Sequence, residues 1–285
     1  MNDIFKIIGS GLVHFRRKPV FGQQDLGVSP GGPMDRLAVI TGNIMLGNSD
    51  FAETIEIILP TRLLCMKNTV LVLTGAHREC ILEYDDIRVP VAHGQVYFAP
   101  EGSTIVLGDY SRGLRTVLSF RNVSSEPGAK KYTGRVRGDF SKKFSFPDQS
   151  SAIRVIKGPE HDRLNNRELF LSAPWKISLN SNEMGLRLEH PFSLKLDSYE
   201  MISDVVADGT IQLTKKGPIV LLYHRQTIGG YPRIFNVISS DLDSMSQFLP
   251  GQYVRFKLIS PEEAREINEL RKREIDKFRT EFPLE

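Results

Sequence analysis

Residues 218–233 read Pro-Ile-Val-Leu-Leu-Tyr-His-Arg-Gln-Thr-Ile-Gly-Gly-Tyr-Pro-Arg, an apolar run that leads directly into a polar turn with two glycines. Residues 219–223 have the length and composition of a buried strand. The polar residues 225–227 can donate and accept hydrogen bonds, and the glycines at 229–230 let the backbone approach another group closely. The stretch therefore predicts a strand followed by either a binding loop or a structural turn whose polar side chains bond to the backbone.

Short apolar runs like this one recur along the chain, separated by Gly, Pro, Asn or Asp turns. Strands at this spacing are typical of β-sandwiches and β-barrels. They do not alternate with regular amphipathic helices, as the strands of a doubly wound nucleotide-binding sheet would. We therefore expect a mainly β protein. The predicted strands lie at residues 4–8, 55–59, 69–73, 95–99, 115–120, 153–156, 187–189, 219–223, 234–238 and 253–258.

Two helices interrupt this pattern. Pro33 suits the first position of a helix and Gly47 suits a left-handed cap, so a helix is predicted over residues 33–46. Residues 260–263, Ser-Pro-Glu-Glu, form a capping box, and apolar residues recur every three or four positions over 264–282. This second pattern predicts a C-terminal helix that packs on the body of the protein or on a partner.

The chain of 285 residues is long enough for about two domains. Residues 121–143 carry seven basic and two acidic residues and few large apolar ones. This composition favours a linker over an anion-binding patch. We place the boundary near residue 148. An N-terminal β domain is thus predicted over 1–148, including the basic linker at 121–148, and a C-terminal β-barrel domain with the terminal helix over 149–285.

Composition excludes several classes of function. The net charge of +3 is too small for a nucleic-acid-binding protein. Histidines and cysteines are scattered without ligand spacing, so no metal site is predicted, and Cys65 and Cys80 are expected to be buried in strands. No apolar stretch reaches the ~18 residues that cross a bilayer, and the N-terminus lacks the apolar region of a signal peptide. We therefore expect a cytoplasmic protein with no membrane partner.

Residues 218–233 resemble the C-terminal signature of the allophanate hydrolase subunit 2 family, PIVLLADRQTTGGYP. Members of this family include the C subunit of bacterial ATP-dependent 5-oxoprolinase and the KipA regulators. Further blocks agree in the same order along most of the chain, which is more than chance matching provides. These blocks lie at residues 27–35, 47–48, 56, 74–76, 153–154, 158–159, 184–185, 187–188, 209, 211–212, 250–251 and 254–256.

The resemblance implies two β-barrel domains, the second cyclophilin-like, and a partner protein that is either the B subunit of 5-oxoprolinase or a KipI-like protein. In 5-oxoprolinase, the complex opens the lactam of 5-oxoproline at the expense of ATP, with a further partner, the hydrolytic A subunit. A non-autonomous subunit of such an amide- or lactam-hydrolysing complex is implied, with no cofactor bound directly and ATP used by the complex. Two alternatives stay open: a KipA-like binding module that antagonises a histidine-kinase inhibitor, and a carboxyltransferase-type module for urea-like substrates.

The candidate site combines the loop with two other segments. Glu56 lies in an apolar strand, where a buried carboxylate acts either as an acid or base or as the partner of an arginine such as Arg187 or Arg225. The glycines before Asp35 would let a helix start bind an anion, or Asp35 itself stabilises that start. We expect the loop to approach both segments and to bind a small amide or lactam. The candidate catalytic residues are Glu56 and Arg225, and the candidate substrate-binding residues are Met34, Asp35, Arg187, His224, Arg225, Gln226, Thr227, Gly229, Gly230 and Tyr231.

The early Gln-Asp-x-Gly-Arg block of the family is not legible around residues 14–18, a glycine-rich stretch is missing after Phe120, and three further segments depart from the family pattern. His224 stands where the family has an acid, residues 181–186 read Ser-Asn-Glu-Met-Gly-Leu instead of Ser-Asp-Arg-Met-Gly-Tyr, and residues 212–215 read Gln-Leu-Thr-Lys instead of Gln-Val-Pro-Pro. An Asp-to-His exchange removes a fixed negative charge and introduces a group that titrates near pH ~6.5. Chemistry that used the carboxylate would therefore be altered.

Overall fold

The computed structural model describes residues 3–123, 152–190, 192–196, 198–199 and 201–281. The chain divides into two compact units, and each unit includes one segment that is distant in sequence from the rest. The predicted boundary near residue 148 and most of the predicted linker fall outside the described residues, so both stay predictions. The first unit comprises Met1–Lys18, Asp35–Phe146 and Ile275–Glu285, and the second comprises Pro19–Met34 and Pro147–Glu274.

The first unit contains an eight-stranded, barrel-like sheet. Its two longest strands pair antiparallel over most of their length, and shifts in their register near His77 and Arg78 mark bulges that bend them. The strands are β1 (Phe5–Ile7), β2 (Val13–Arg16), β3 (Thr54–Ile57), β4 (Thr61–Cys65), β5 (Thr69–Tyr84), β6 (Ile87–Pro90), β7 (Val96–Ala99) and β8 (Thr104–Asn122). Five of them follow the order β1-β4-β8-β3-β2, and β5 joins this path by pairing with β8 and also pairs with β6 and β7.

Helix α1 (Arg36–Met45) covers one face of this sheet. Its Ala38 and Val39 pack against Val117, which lies opposite Glu56 in the β3–β8 register. The helix begins at Arg36 rather than at Pro33, because the Asp35 side chain caps it by accepting a hydrogen bond from the Ala38 amide at 2.9 Å. The capping carboxylate outweighs the preference of proline for a first helical position. Gly47 has the predicted left-handed φ of 67°.

The second unit is also mainly β, as predicted. Its eight-stranded sheet has the order β17-β10-β11-β14-β13-β16-β9-β18, and β12 and β15 form a separate ribbon. The two edge strands of the large sheet are separated in sequence by Arg255 alone, so the sheet must curl until its edges nearly meet, which makes a nearly closed barrel. The strands are β9 (Ile153–Lys157), β10 (Trp175–Ile177), β11 (Gly185–Glu189), β12 (Asp204–Val205), β13 (Thr210–Thr214), β14 (Gly217–Leu221), β15 (Ile228–Gly229), β16 (Arg233–Val237), β17 (Tyr253–Val254) and β18 (Phe256–Leu258).

The core of the second unit is rich in aromatic rings. Phe170, from helix α2 (Arg167–Ser172), stacks on Phe235 and Phe256 with ring centroids 4.7 and 4.8 Å away. Trp175 is buried beside it and donates its indole N–H to the Phe170 carbonyl at 2.9 Å. A short helix α3 (Ser239–Met245) adds Leu242 and Met245 to the same core. Aromatic burial of this kind supplies much of the hydrophobic stabilisation of a small barrel.

Helix α4 (Pro261–Glu281) is the predicted C-terminal helix. The predicted capping box is present: the Ser260 amide donates to Glu263 Oε2 at 2.8 Å, and the Glu263 amide donates to Ser260 Oγ at 3.1 Å. Ala264, near its start, packs in the second unit, whereas Phe278, near its end, packs in the first. Among the described residues, no helix has both the length and the hydrophobicity needed to span a bilayer.

Both cysteines are buried and free, as predicted. Burial raises the pKa of the Cys65 thiol to about 11 and that of the Cys80 thiol to about 12. A thiol that stays protonated is a poor nucleophile and a poor metal ligand, so these side chains act as small core residues.

Candidate functional site

The loop that follows β14 lies beside the glycine pair at 31–32 within the second unit. The Gly31 amide donates to the Tyr223 carbonyl at 3.1 Å, and His224 Nε2 lies 2.9 Å from the Gly32 carbonyl oxygen. Both glycines have left-handed φ angles of 57° and 79°. A Cβ on Gly32 would lie 2.8 Å from Pro19 Cγ, so the close approach of Gly32 to Pro19 requires glycine at position 32.

His224 faces Glu183, and both residues depart from the family pattern. Because the Gly32 carbonyl can only accept, His224 Nε2 donates to it and carries the proton. The other ring nitrogen, Nδ1, lies 4.0 Å from Glu183 Oε2. The family pattern has an acid at the first position and an arginine at the second. The acidic residue of the pair therefore lies at the other of the two positions in the present chain.

Arg225 is buried, with 3% of its surface exposed, and most of its guanidinium is already engaged. Its Nε lies 2.8 Å from Asp208 Oδ1 in an ion pair whose angle does not make a directed hydrogen bond. Its Nη1 donates to the Gln226 carbonyl oxygen at 3.0 Å. Nη2 has no hydrogen-bond partner among the described residues. One nitrogen of the predicted fork thus stays available to a ligand.

The polar side chains that follow Arg225 bond to β13 and to their own loop. Gln226 Nε2 donates to Gln212 Oε1 at 3.3 Å, and Gln212 Nε2 donates to the Tyr231 carbonyl at 3.2 Å. Thr227 is buried, and its carbonyl accepts from the Val206 amide at 3.1 Å. These bonds fix the loop against the barrel.

The end of the loop is held by an ion-pair cluster. Arg233 donates from Nη2 and Nε to the two oxygens of Glu160, at 2.8 and 2.9 Å, and its Nη1 lies 3.0 Å from Asp204 Oδ2. The hydrogen bond from Arg233 holds the pKa of the Glu160 carboxyl below its usual range. A bidentate arginine–carboxylate pair of this kind is stronger and more directional than a single contact, so it anchors the loop.

Glu56, in the first unit, is completely buried and bonded within that unit. Arg16 Nε donates to Glu56 Oε2 at 2.6 Å, and the Asp35 amide donates to Glu56 Oε1 at 3.1 Å. Its arginine partner is Arg16 on β2 rather than Arg187 or Arg225, because β2 pairs with β3 and places Arg16 near Glu56. Both carboxylate oxygens therefore already have partners.

The family described as "Carboxyltransferase domain, subdomain A and B" matches residues 26–129 and 123–258, which is most of the chain. The chain belongs to the carboxyltransferase domain family.

Relatives of this carboxyltransferase domain include two bacterial proteins of similar length, both of them the C subunit of a 5-oxoprolinase. The Haemophilus influenzae protein is 27% identical over 282 residues, which cover 90% of this chain and 90% of the relative. The Escherichia coli protein is 28% identical over 277 residues, which cover 85% and 87%.

Among solved structures, the Kluyveromyces lactis urea carboxylase superposes with a TM-score of 0.81 at 23% identity. The match covers 97% of this chain but 29% of the urea carboxylase chain, so this carboxyltransferase domain spans less than a third of that protein. At this level of identity the likeness shows a common fold.

Within this carboxyltransferase domain, the predicted site residues are divided between the units. One loop of the second unit contains seven of them: His224, Arg225, Gln226, Thr227, Gly229, Gly230 and Tyr231. Glu56 and Asp35 belong to the first unit, and the expectation that the loop approaches them stays a prediction. Met34 is completely buried in the core of the second unit, and Arg187 is exposed on β11 with its amide bonded to Ser181 Oγ at 3.0 Å.

Sequence reasoning missed two partners of the loop, Asp208 and Gln212. They lie in and before β13, a strand that was not predicted although its sequence, Thr-Ile-Gln-Leu-Thr, alternates polar and apolar residues; in the structure all five residues are buried. An Asp-Gly turn at 208–209 was the available signal. Among the described residues, no three His, Cys, Asp or Glu side chains are close enough to hold a metal ion.

Proposed function

We propose that this chain is the C subunit of an ATP-dependent 5-oxoprolinase-type complex, which opens a lactam. One observation carries the proposal: the two bacterial 5-oxoprolinase relatives match over about nine-tenths of both chains, and not over a shared module. The urea carboxylase likeness is compatible with this role, since it shows the same fold inside a longer chain.

The proposed activity belongs to a complex and not to this chain alone. Its loop offers one guanidinium nitrogen, amide groups and His224, but Arg225 is paired with Asp208 and Glu56 is paired with Arg16. These groups suit binding and positioning better than nucleophilic attack. The proposed partners are a B subunit or KipI-like protein and the hydrolytic A subunit, and ATP is bound by the complex without a cofactor on this chain.

The proposed substrate carries both a carboxylate and a lactam, and the loop has a group for each. Arg225 Nη2 would donate to the carboxylate, because a charge-assisted bond is the strongest contact available there. Gln226 would bond to the lactam through its amide. His224, paired with Glu183, would adjust the charge beside the site.

The test is reconstitution of the complex from this chain and its proposed A and B partners. We expect 5-oxoproline-dependent ATP hydrolysis only when all components are present, and none from the isolated chain. Turnover by the isolated chain, or undiminished turnover without it, would contradict the proposal.

Two other outcomes would replace the proposal. Binding to a KipI-like protein that restores a histidine kinase, with no lactam turnover, would establish the regulatory module. Transfer of a carboxyl group to a urea-like acceptor would establish the carboxyltransferase-type module. Each assay uses the same purified chain, so the results are directly comparable.

A further inference from the structure

The orientation of the Gln226 amide follows from a chain of hydrogen bonds that ends on a backbone carbonyl. The Tyr231 carbonyl can only accept, so Gln212 must turn its Nε2 toward it. Gln212 Oε1 then faces Gln226 and requires a donor, which must be Gln226 Nε2. Gln226 Oε1 has no hydrogen-bond partner among the described residues.

Gly229 makes this arrangement possible. A Cβ at position 229 would lie 2.5 Å from Gln212 Nε2, which is closer than any side chain allows. The role of this glycine is therefore to admit the Gln212 amide. Gln212 itself is 2% exposed on β13, so its packing holds it in place and it is not accessible to a ligand from solvent.

We propose that Gln212 is a positioning residue that makes Gln226 select ligands carrying a cis amide, such as a lactam, a primary amide or a ureido group. In this proposal the N–H of Gln226 that Gln212 holds is the one trans to Oε1, so Oε1 and the second N–H form one edge with an acceptor beside a donor. A lactam presents N–H and C=O on the same side and matches this edge. An open-chain secondary amide is trans and presents them on opposite sides.

This inference deepens the proposed function and rests on it for the choice of a lactam, but it can be tested on the isolated full-length chain. The probes are 2-pyrrolidone, γ-butyrolactone and N-methylacetamide, which are neutral and of similar size. The lactone lacks the N–H, and N-methylacetamide has the trans geometry. Saturation-transfer NMR titrations measure the three affinities. We expect pyrrolidone to bind about tenfold or more tightly than either of the others, since each lost neutral hydrogen bond weakens binding by about that factor.

Two variants test the positioning role. Gln212→Met removes the anchoring amide, and Gly229→Ala displaces it. In both, Gln226 becomes free to rotate, so the preference for pyrrolidone over the lactone should fall to about threefold or less. Gln252→Met is the matched control: Gln252 lies in the same unit and its Oε1 accepts from the Leu249 amide at 2.9 Å. That variant should keep the wild-type preference, and thermal melts of all variants should show a folded protein.

Equal affinity of the wild type for the three probes, or no binding of pyrrolidone, would overturn the inference. A preference that survives in both Gln212→Met and Gly229→Ala would also overturn it. The proposed function fails differently, through absence of lactam-dependent ATP hydrolysis in the reconstituted complex. Cis-amide selectivity in the chain without turnover in that complex would therefore uphold this inference and remove the enzyme assignment.

Discussion

The Glu56 and Arg78 side chains of the first unit and the loop of the second unit differ in how their polar groups are paired. In the first, both oxygens of Glu56 are bonded internally, and Arg78 donates from Nε to Thr116 Oγ1 at 2.7 Å and from Nη2 to the Ile57 carbonyl at 3.1 Å. In the second, Arg225 is buried to a similar extent, yet its Nη2 and Gln226 Oε1 have no partners among the described residues.

This difference distinguishes polar groups that stabilise the fold from polar groups that are available to bind a ligand. A donor or acceptor that is buried and left unpaired destabilises a protein by about 1–3 kcal/mol. The internal partners of Glu56 and Arg78 remove that penalty for these two side chains of the first unit. In the second unit, Arg225 Nη2 and Gln226 Oε1 are not among the buried unpaired atoms, so a ligand that bonded to them would replace their contacts with water.

The largest expected effect is a loss of stability in the first unit. Glu56→Gln keeps the shape of the side chain but removes the negative charge that pairs with the buried Arg16 guanidinium. We expect the free energy of unfolding to fall by about 3–5 kcal/mol, as when one partner of a buried ion pair is removed. Urea denaturation measures this change.

Glu53→Gln is the control for this prediction. Glu53 pairs with Arg17 at 3.0 Å, but the Arg17 side chain is 71% exposed. The same chemical change there should lower stability by less than about 1 kcal/mol. Equal losses in the two variants would show that the Glu56 pair contributes nothing special to the first unit.

A second prediction concerns the pH dependence of stability. Burial, and then repulsion from the stacked His77 ring, lower the pKa of His93 to about 4, whereas an unfolded histidine titrates near its ordinary value of 6.5. The unfolded state therefore binds more protons between these values, so stability is complete above pH 6.5 and decreases as the pH falls toward 4.

Across that interval we expect a loss of about 3 kcal/mol from His93. His93→Gln, which cannot titrate, should show a flatter stability curve between pH 6.5 and 4 than the wild type. Parallel curves for the two proteins, measured by denaturation at each pH, would mean that His93 titrates normally.

The third prediction concerns the loop of the second unit. Arg225→Ala and Gln226→Ala should abolish ligand binding or complex activity, because each removes a group that the ligand is proposed to contact. A charge-assisted bond of Arg225 at a desolvated site contributes about 2 kcal/mol or more to binding. The fold should persist in both variants, with a small loss from the Asp208 pair in Arg225→Ala.

Cys65→Ser should give the opposite result, a loss of stability without a loss of activity. It places a hydroxyl in the core of the first unit and should lower stability by about 1–3 kcal/mol while activity of the folded fraction is kept. Thermal melts and activity assays on the same samples check both halves. Wild-type behaviour of Arg225→Ala and Gln226→Ala in both assays would reduce the loop to a structural turn.

The smallest effect is expected for the pair formed by His224 and Glu183. His224 and Glu183 are partly exposed and 4.0 Å apart, so their coupling should amount to about 0.2–1 kcal/mol. His224→Asp alone brings two carboxylates together, and adding Glu183→Arg restores the family arrangement. A double-mutant cycle should show the second substitution recovering the stability lost in the first. Additive effects would mean that the two positions are independent.

Much of the fold could be predicted because it depends on local pattern. The mainly β character and the α4 capping box follow from residues that are close in sequence. The lengths of β5 and β8, 16 and 19 residues, could not be predicted, because bulges let polar residues such as His77 and Arg78 interrupt the apolar pattern without ending the strand.

The candidate site was predictable in part for the same reason. Residues 218–233 contain the loop and its hydrogen-bonding side chains in one continuous stretch. Its partners Asp208 and Gln212 depend on how strands fold back on each other, which periodicity does not reveal. The Glu56–Arg16 pair depends likewise on β2, a strand of four residues that the pattern did not indicate.

The assignment of the two ends of α4 to different units bears on how the chain folds during synthesis. Phe278 completes an apolar cluster whose other members, such as Ile44 and Val72, are translated roughly two hundred residues earlier. A ribosome must therefore translate helix α4 before that cluster can close. The nascent first unit would expose apolar surface throughout this time, and transient exposure of this kind favours aggregation unless the surface is covered.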